Sequence, residues 1–221
     1  MKIAFSTLGC PEWTWEDIYT MAGDTGFNGI ELRGLGKEIS SYKAKPFLDE
    51  NVSNTLSKIE GINLEISCVS SSCCVKNSFY AEKTINEGYS SIDLAFKLKS
   101  SFVRILADLE PFETGDVKEE VVITNISNLA EYAKDKKITL LIETNGLYAD
   151  SIKMKNLVEK INSDNVAVLW DIHHPFRHKN EEIEFTYRNL KKWIKYVHVK
   201  DSDVINGKII YKMMGEGNLP V

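Results

Sequence analysis

The sequence predicts an α/β protein of the TIM (β/α) barrel class, with seven β/α units legible and the eighth missing. Three observations lead there. Short apolar segments alternate with amphipathic segments of helical spacing along the chain, the pattern of parallel strands joined by helical crossovers. The apolar segments are mostly continuous runs, as expected of strands covered on both faces. Polar side chains of catalytic type, Ser6, Glu31, Glu143, Asp171 and His198, fall at the ends of several different runs, where a barrel gathers its active site. A doubly wound sheet shares the first two properties. Its usual signature, G-x-G-x-x-G, does not occur, and Gly34-Leu35-Gly36 lacks the third glycine.

In chain order, Lys2 to Ser6 reads as a strand, and Trp15 to Ala22 as a helix with Thr14 as its N-cap. Met1 to Cys10 loosely mimics a lipoprotein signal but is too short for a charged region plus an apolar one. Gly26-Phe27-Asn28 turns into a second strand, Gly29 to Arg33, and Pro46 to Ile59 reads as a helix. Ile62 to Val69 is the third strand, followed by a polar loop of serines and cysteines. The helix from Glu82 to Leu98 carries Ile85, Tyr89, Ile92 and Phe96 on one face. Phe102 to Leu106 is the fourth strand and Val117 to Lys134 the next helix. The fifth, sixth and seventh strands end at Glu143, Asp171 and His198, separated by helices near Ser151 to Ile161 and Glu181 to Trp193.

After His198 the chain holds a hairpin or loop through Asp203 to Tyr211 and then Gly215-Glu216-Gly217, with no eighth β/α unit. Residues 1–221 therefore read as one barrel domain, either shortened at its C-terminal end or carrying a gap in the sheet. The two edges of such a gap need cover.

A chain of 221 residues with 43% hydrophobic and 27% charged residues is an ordinary globular one with a single core. Its net charge of −5 and scattered Lys and Arg leave no basic stripe for nucleic acid. No apolar run approaches the roughly 20 residues of a membrane span, so no membrane partner is expected. Cys10, Cys68, Cys73 and Cys74 show no paired spacing, which fits a cytoplasmic protein. The oligomeric state is open, a homo-oligomer included.

The chemistry is concentrated at three strand ends. The steps from Glu143 to Asp171 and from Asp171 to His198 are 28 and 27 residues, room for a strand, a loop and a helix each. Singly, these residues read as a capping carboxylate, an N-cap and a core histidine. Together they put two carboxylates and an imidazole on one mouth of the barrel, and burying such charges unpartnered is costly. A shared divalent metal would satisfy all three.

Further candidates surround them. His174, three residues past Asp171, can turn back toward the metal or a substrate, while His173 faces elsewhere as a surface or supporting residue. Lys200 shares a face with His198 by the strand period of two and reaches either a substrate oxygen or, for structural reasons, Glu143 or Asp201. Glu31 and Arg33 share a face and favour an ion pair, with substrate contact by Glu31 as the other reading. Asn145 can offer an amide to a hydroxyl. Trp13 and Trp15 stack on a sugar face or, more simply, pack at a helix start. Glu216 either swings toward the site or sits solvated in a turn.

The ordered set Ile142-Glu143 with Asn145, Asp171-x-x-His174, His198-x-Lys200-Asp201 and Gly215-Glu216-Gly217 resembles the sugar phosphate isomerase/epimerase family, the xylose-isomerase-like barrels of the AP endonuclease 2 superfamily. The likeness spans nearly the whole chain. It implies that Glu143, Asp171 and His198 bind one Mn²⁺, Mg²⁺, Co²⁺ or Zn²⁺ ion. The family's fourth ligand, a glutamate after strand eight, has no counterpart before Val221. The implied activity is isomerisation or epimerisation of a small sugar, keto-sugar or polyol through an enediolate, with inosose dehydratase and hydroxypyruvate isomerase as mechanistic relatives. Glu143 would carry the proton, His174 and Lys200 would assist, and Glu31, Asn145, His174 and Glu216 would contact the substrate.

Two other functions compete. An endonuclease IV-like phosphodiester hydrolase of the same superfamily needs histidines after strands three and four, where this chain has Val69-Ser70-Ser71 and Ala107-Asp108. A catalytically inactive sugar-binding barrel is the third possibility.

Overall fold

In β1 (Ala4–Ser6), β2 (Gly29–Leu32), β4 (Phe102–Leu106), β5 (Thr139–Glu143), β6 (Val166–Asp171) and β7 (Ile194–His198), short runs form adjacent parallel strands. With β3 (Glu65–Cys74) they make one seven-stranded sheet in the order β1-β2-β3-β4-β5-β6-β7. The computed structural model describes residues 1–220.

Seven helices cover the sheet: α1 (Trp15–Asp24), α2 (Val52–Gly61), α3 (Ser78–Lys97), α4 (Glu119–Lys134), α5 (Ser151–Ile161), α6 (His173–Lys179) and α7 (Ile183–Leu190). Thr14 caps α1 in a capping box with Asp17, which satisfies two otherwise orphaned N–H groups.

The sheet is curled. Flat, β2 and β7 would stand about 24 Å apart at roughly 4.8 Å per strand. Instead His198 Nε2 lies 2.7 Å from Glu31 Oε2, and Tyr196 of β7 bonds Ser67 of β3 at 2.8 Å. The period of two sorts the side chains. Leu140 and Ile142 pack outward against the helices, whereas Leu141 packs inward with Cys68, Ala167 and Leu169. Glu143 follows Leu141, Asp171 follows Leu169 and His198 follows Tyr196, so all three point into the barrel mouth. This is a TIM barrel with seven strands; among the described residues no eighth strand joins β1 to β7.

Several element boundaries differ from the sequence expectation. The serines and cysteines expected to form a loop instead extend β3 to Cys74. These small side chains are mostly buried, and Gly88 of α3 lets the helix approach until an added Cβ would stand 3.1 Å from Cys73 Sγ. The segment beginning at Pro46 forms only a single turn of 3₁₀ helix, Lys45–Phe47, before α2 starts at Val52. Helix α6, which the sequence reading did not include, follows β6 almost directly. The C-terminal hairpin is real: β8 (Asp201–Ile205) pairs antiparallel with β9 (Lys208–Lys212). All four cysteines are free. Among the described residues no helix is long and apolar enough to cross a membrane.

Candidate metal and substrate site

Glu143 and Asp171 end β5 and β6, and His198 ends β7 in register with Asp171. One donor atom from each lies within 4.8 Å of the other two. Glu143 is 5% exposed and Asp171 is fully buried, so each needs a local reason to keep its charge.

For Glu143 the reason is Arg104, which stands inward in the apolar run of β4 and sets its Nε 2.9 Å from Glu143 Oε2. Burial would raise the Glu143 carboxyl, but Arg104, His198 and His174 hold it well below the usual carboxylate range. Its other oxygen, Oε1, faces His198 Nδ1 at 3.5 Å and His174 Nδ1 at 3.9 Å.

Asp171 is fixed by its surroundings. Its N–H donates to Thr144 Oγ1 at 2.9 Å, and Oδ1 accepts from the N–H of His173 at 3.0 Å. Oδ2 makes no hydrogen bond. It faces Lys200 Nζ at 2.7 Å, His174 Nε2 at 3.6 Å and His198 Nδ1 at 3.9 Å. The ammonium is close enough for charge attraction but off the line of a hydrogen bond.

His198 turns Nε2 toward Glu31 and Nδ1 toward the two acids. Burial would lower its pKa, but Glu31 and Glu143 raise it to about 10. His174 Nδ1 lies 2.9 Å from the Thr144 carbonyl and must donate to it, which leaves Nε2 to accept from Lys200 Nζ at 3.0 Å. Burial lowers the pKa of His174. For Lys200 burial pulls downward, but Asp171 prevails and raises it.

The donor set fits a divalent cation. Two atoms bound to one ion at about 2.0–2.2 Å stand roughly 3–4 Å apart, and His198 Nδ1 lies 3.5 Å from Glu143 Oε1 and 3.9 Å from Asp171 Oδ2. Asp171 Oδ2 is a buried carboxylate oxygen that already faces a positive charge, the Lys200 ammonium at 2.7 Å. Glu31 behind His198 supplies the carboxylate–histidine arrangement that orients imidazole ligands.

Other candidates are placed differently. Glu31 pairs with His198, and the expected ion pair with Arg33 is not formed; Arg33 Nη1 bonds Ser72 Oγ at 3.0 Å instead. The barrel's curl presents Glu31 with a nearer partner. His173 is not a surface residue: it is fully buried, with Nε2 3.0 Å from Ser202 Oγ and its ring stacked on Tyr211. Asn145 Nδ2 donates to the carbonyls of Asp108 and Leu109 at 2.8 and 3.2 Å, tying two loops together. The next residue, Gly146, has φ +58°, and an added Cβ would lie 2.2 Å from Asp108 Oδ2.

Trp15 packs edge-on against Phe47 in the core, while Trp13 is exposed. Glu216 is exposed, and its carboxylate makes no hydrogen bond or ion pair among the described residues. The flanking Gly215 and Gly217 donate their N–H groups to Asp201. Arg104 and Thr144 are the functional residues that reading by strand ends missed. A lone arginine inside Phe102-Val103-Arg104-Ile105-Leu106 was the available signal.

A family model described as xylose isomerase-like TIM barrel matches residues 20–221. A search of curated proteins finds no match. Among solved structures, the probable 3-DHS dehydratase AsbF of Bacillus anthracis is 21% identical, with TM-score 0.74 over 92% of this chain and 74% of its own. The IOLI protein with a bound zinc atom is 15% identical, with TM-score 0.82 over 100% of this chain and 81% of its own. A D-tagatose 3-epimerase-like protein is 20% identical, with TM-score 0.77 over 100% of this chain and 83% of its own.

Proposed function

Because the chain belongs to the xylose isomerase-like TIM barrel family, we propose that it is a divalent-metal-dependent isomerase or epimerase of a small sugar, keto-sugar or polyol. The observation that carries this reading is the convergence of one donor atom each from Glu143, Asp171 and His198 within 4.8 Å of one another, with both carboxylates buried. Glu143, Asp171 and His198 would hold one Mn²⁺, Mg²⁺, Co²⁺ or Zn²⁺ ion, a set suited to hard and borderline cations. A dehydratase and an epimerase-like protein among the structural relatives, and a zinc atom in a third, support the choice.

When bound, such an ion would supply Lewis acidity that makes the C–H beside the carbonyl of an α-hydroxyketone acidic. The protein supplies the proton traffic. Glu143, with Oε1 turned to the cation site and Oε2 on Arg104, is the carboxylate we assign to the proton. Lys200 carries a proton between its ammonium and the developing oxyanion, steadied by His174 Nε2. Glu31 acts through His198, fixing its ring.

The test is solvent exchange. In D₂O with Mn²⁺, the C–H beside the carbonyl of a small ketose is expected to exchange, and EDTA is expected to abolish it. No exchange with any added divalent metal and any ketose tried would overturn the proposal.

A further inference from the structure

Three polar side chains, Arg33 just past β2, Ser70 of β3 and Arg104 of β4, gather beside the acids of β5 and β6. Ser70 is registered with Arg104, and Val69 with Leu32, which sets Arg33 beside Ser70 on its other side. Ser70 and Arg104 point inward by the period of two, following Cys68 and Phe102 of the inner cluster, and Arg33, one residue past β2, reaches the same strand β3 through Ser72.

This row lacks partners. Ser70 is 2% exposed, yet its Oγ has no hydrogen bond, and the buried Nε of Arg33 has none either. Arg33 spends Nη1 on Ser72, which leaves the Nε edge of its fork free. Arg104 donates through Nη1 to the Ser71 carbonyl at 2.6 Å, and its Nε is ion-paired with Glu143 without a hydrogen bond. Burial and the charge of Arg104 push the pKa of Arg33 down, against the opposing pull of Glu143, Glu87 and Glu31.

We propose that the β2–β4 side of the pocket receives an oxyanion of the substrate, a carboxylate or a phosphate, on the free edge of Arg33 with Ser70 donating beside it. A guanidinium edge matches either group in bidentate fashion. This names the substrate class for the sugar site proposed above and rests on that reading.

Three ligands with one α-hydroxyketone skeleton test it: dihydroxyacetone, dihydroxyacetone phosphate and hydroxypyruvate. Calorimetric binding to the Mn²⁺-loaded protein is expected to favour one or both anions over dihydroxyacetone by at least about tenfold. The tighter of the two identifies phosphate or carboxylate as the source. Arg33→Met is expected to bring the ratio to about one, and Ser70→Ala to reduce it by about threefold or more. If R33M fails to fold, S70A and competition by inorganic phosphate in the unaltered protein decide.

Equal affinity for all three ligands, or no change in either variant, overturns the oxyanion site. Deuterium exchange on the same ligands reads the other proposal separately. An anion preference that R33M removes, without exchange on any ligand, supports the oxyanion site and counts against enolisation.

Discussion

Asp171→Asn is expected to weaken Mn²⁺ binding at least about 100-fold, read by calorimetry, and to abolish solvent exchange with it. Changes to residues that merely orient a metal ligand cost about 10–100-fold, and Asp171 is proposed as a ligand itself. It is fully buried, Oδ1 is taken by the His173 N–H, and Oδ2 faces only Lys200 and two imidazoles. The amide keeps the shape but removes the charge. It also frees Lys200, whose ammonium leans on Asp171. An Asp171→Asn protein that binds Mn²⁺ as tightly as the unaltered chain would remove this residue from the ligand set.

Arg104→Leu carries the second large effect, on stability. Arg104 and Glu143 are 8% and 6% exposed as side chains and lie 2.9 Å apart. Removing one member of a buried pair leaves the other's charge uncompensated and costs about 3–5 kcal/mol. Urea melts of the metal-free protein should show that loss. Replacing both residues by leucine should recover much of it, since a buried ion pair gains little over an apolar pair of similar volume. Added Mn²⁺ should partly rescue the single variant, because an ion that binds the folded state stabilises it. A loss under 1 kcal/mol would mean that Glu143 finds its compensation elsewhere.

The strand ends carrying Glu143, Asp171 and His198 were legible because each closes an apolar run whose inner and outer faces alternate. The spacing then put them on neighbouring strands, while the register of Asp171 with His198 depends on an irregularity between Val168 and Leu169 that the sequence does not announce. What lay across the barrel was not legible. Glu31 and Arg33 share a face locally, but curling brings His198, 167 residues away, to the Glu31 carboxylate. Arg104 passed as part of a strand because its partner lies on the next one.

The run Ser70-Ser71-Ser72-Cys73-Cys74 misled for a different reason. Serine favours turns by bonding nearby backbone, yet Ser71 here bonds the Arg104 carbonyl of the adjacent strand at 2.6 Å. Helix α6 was hidden by Pro175, which a first helical turn tolerates.

Anomalous diffraction from Mn²⁺-soaked crystals reads the shared cation without recourse to activity. One peak is expected, about 2.0–2.3 Å from an oxygen of Glu143, an oxygen of Asp171 and Nδ1 of His198, with Lys200 withdrawn from Asp171. A pocket without a peak, its Lys200 ammonium still against Asp171 at saturating Mn²⁺, would contradict it.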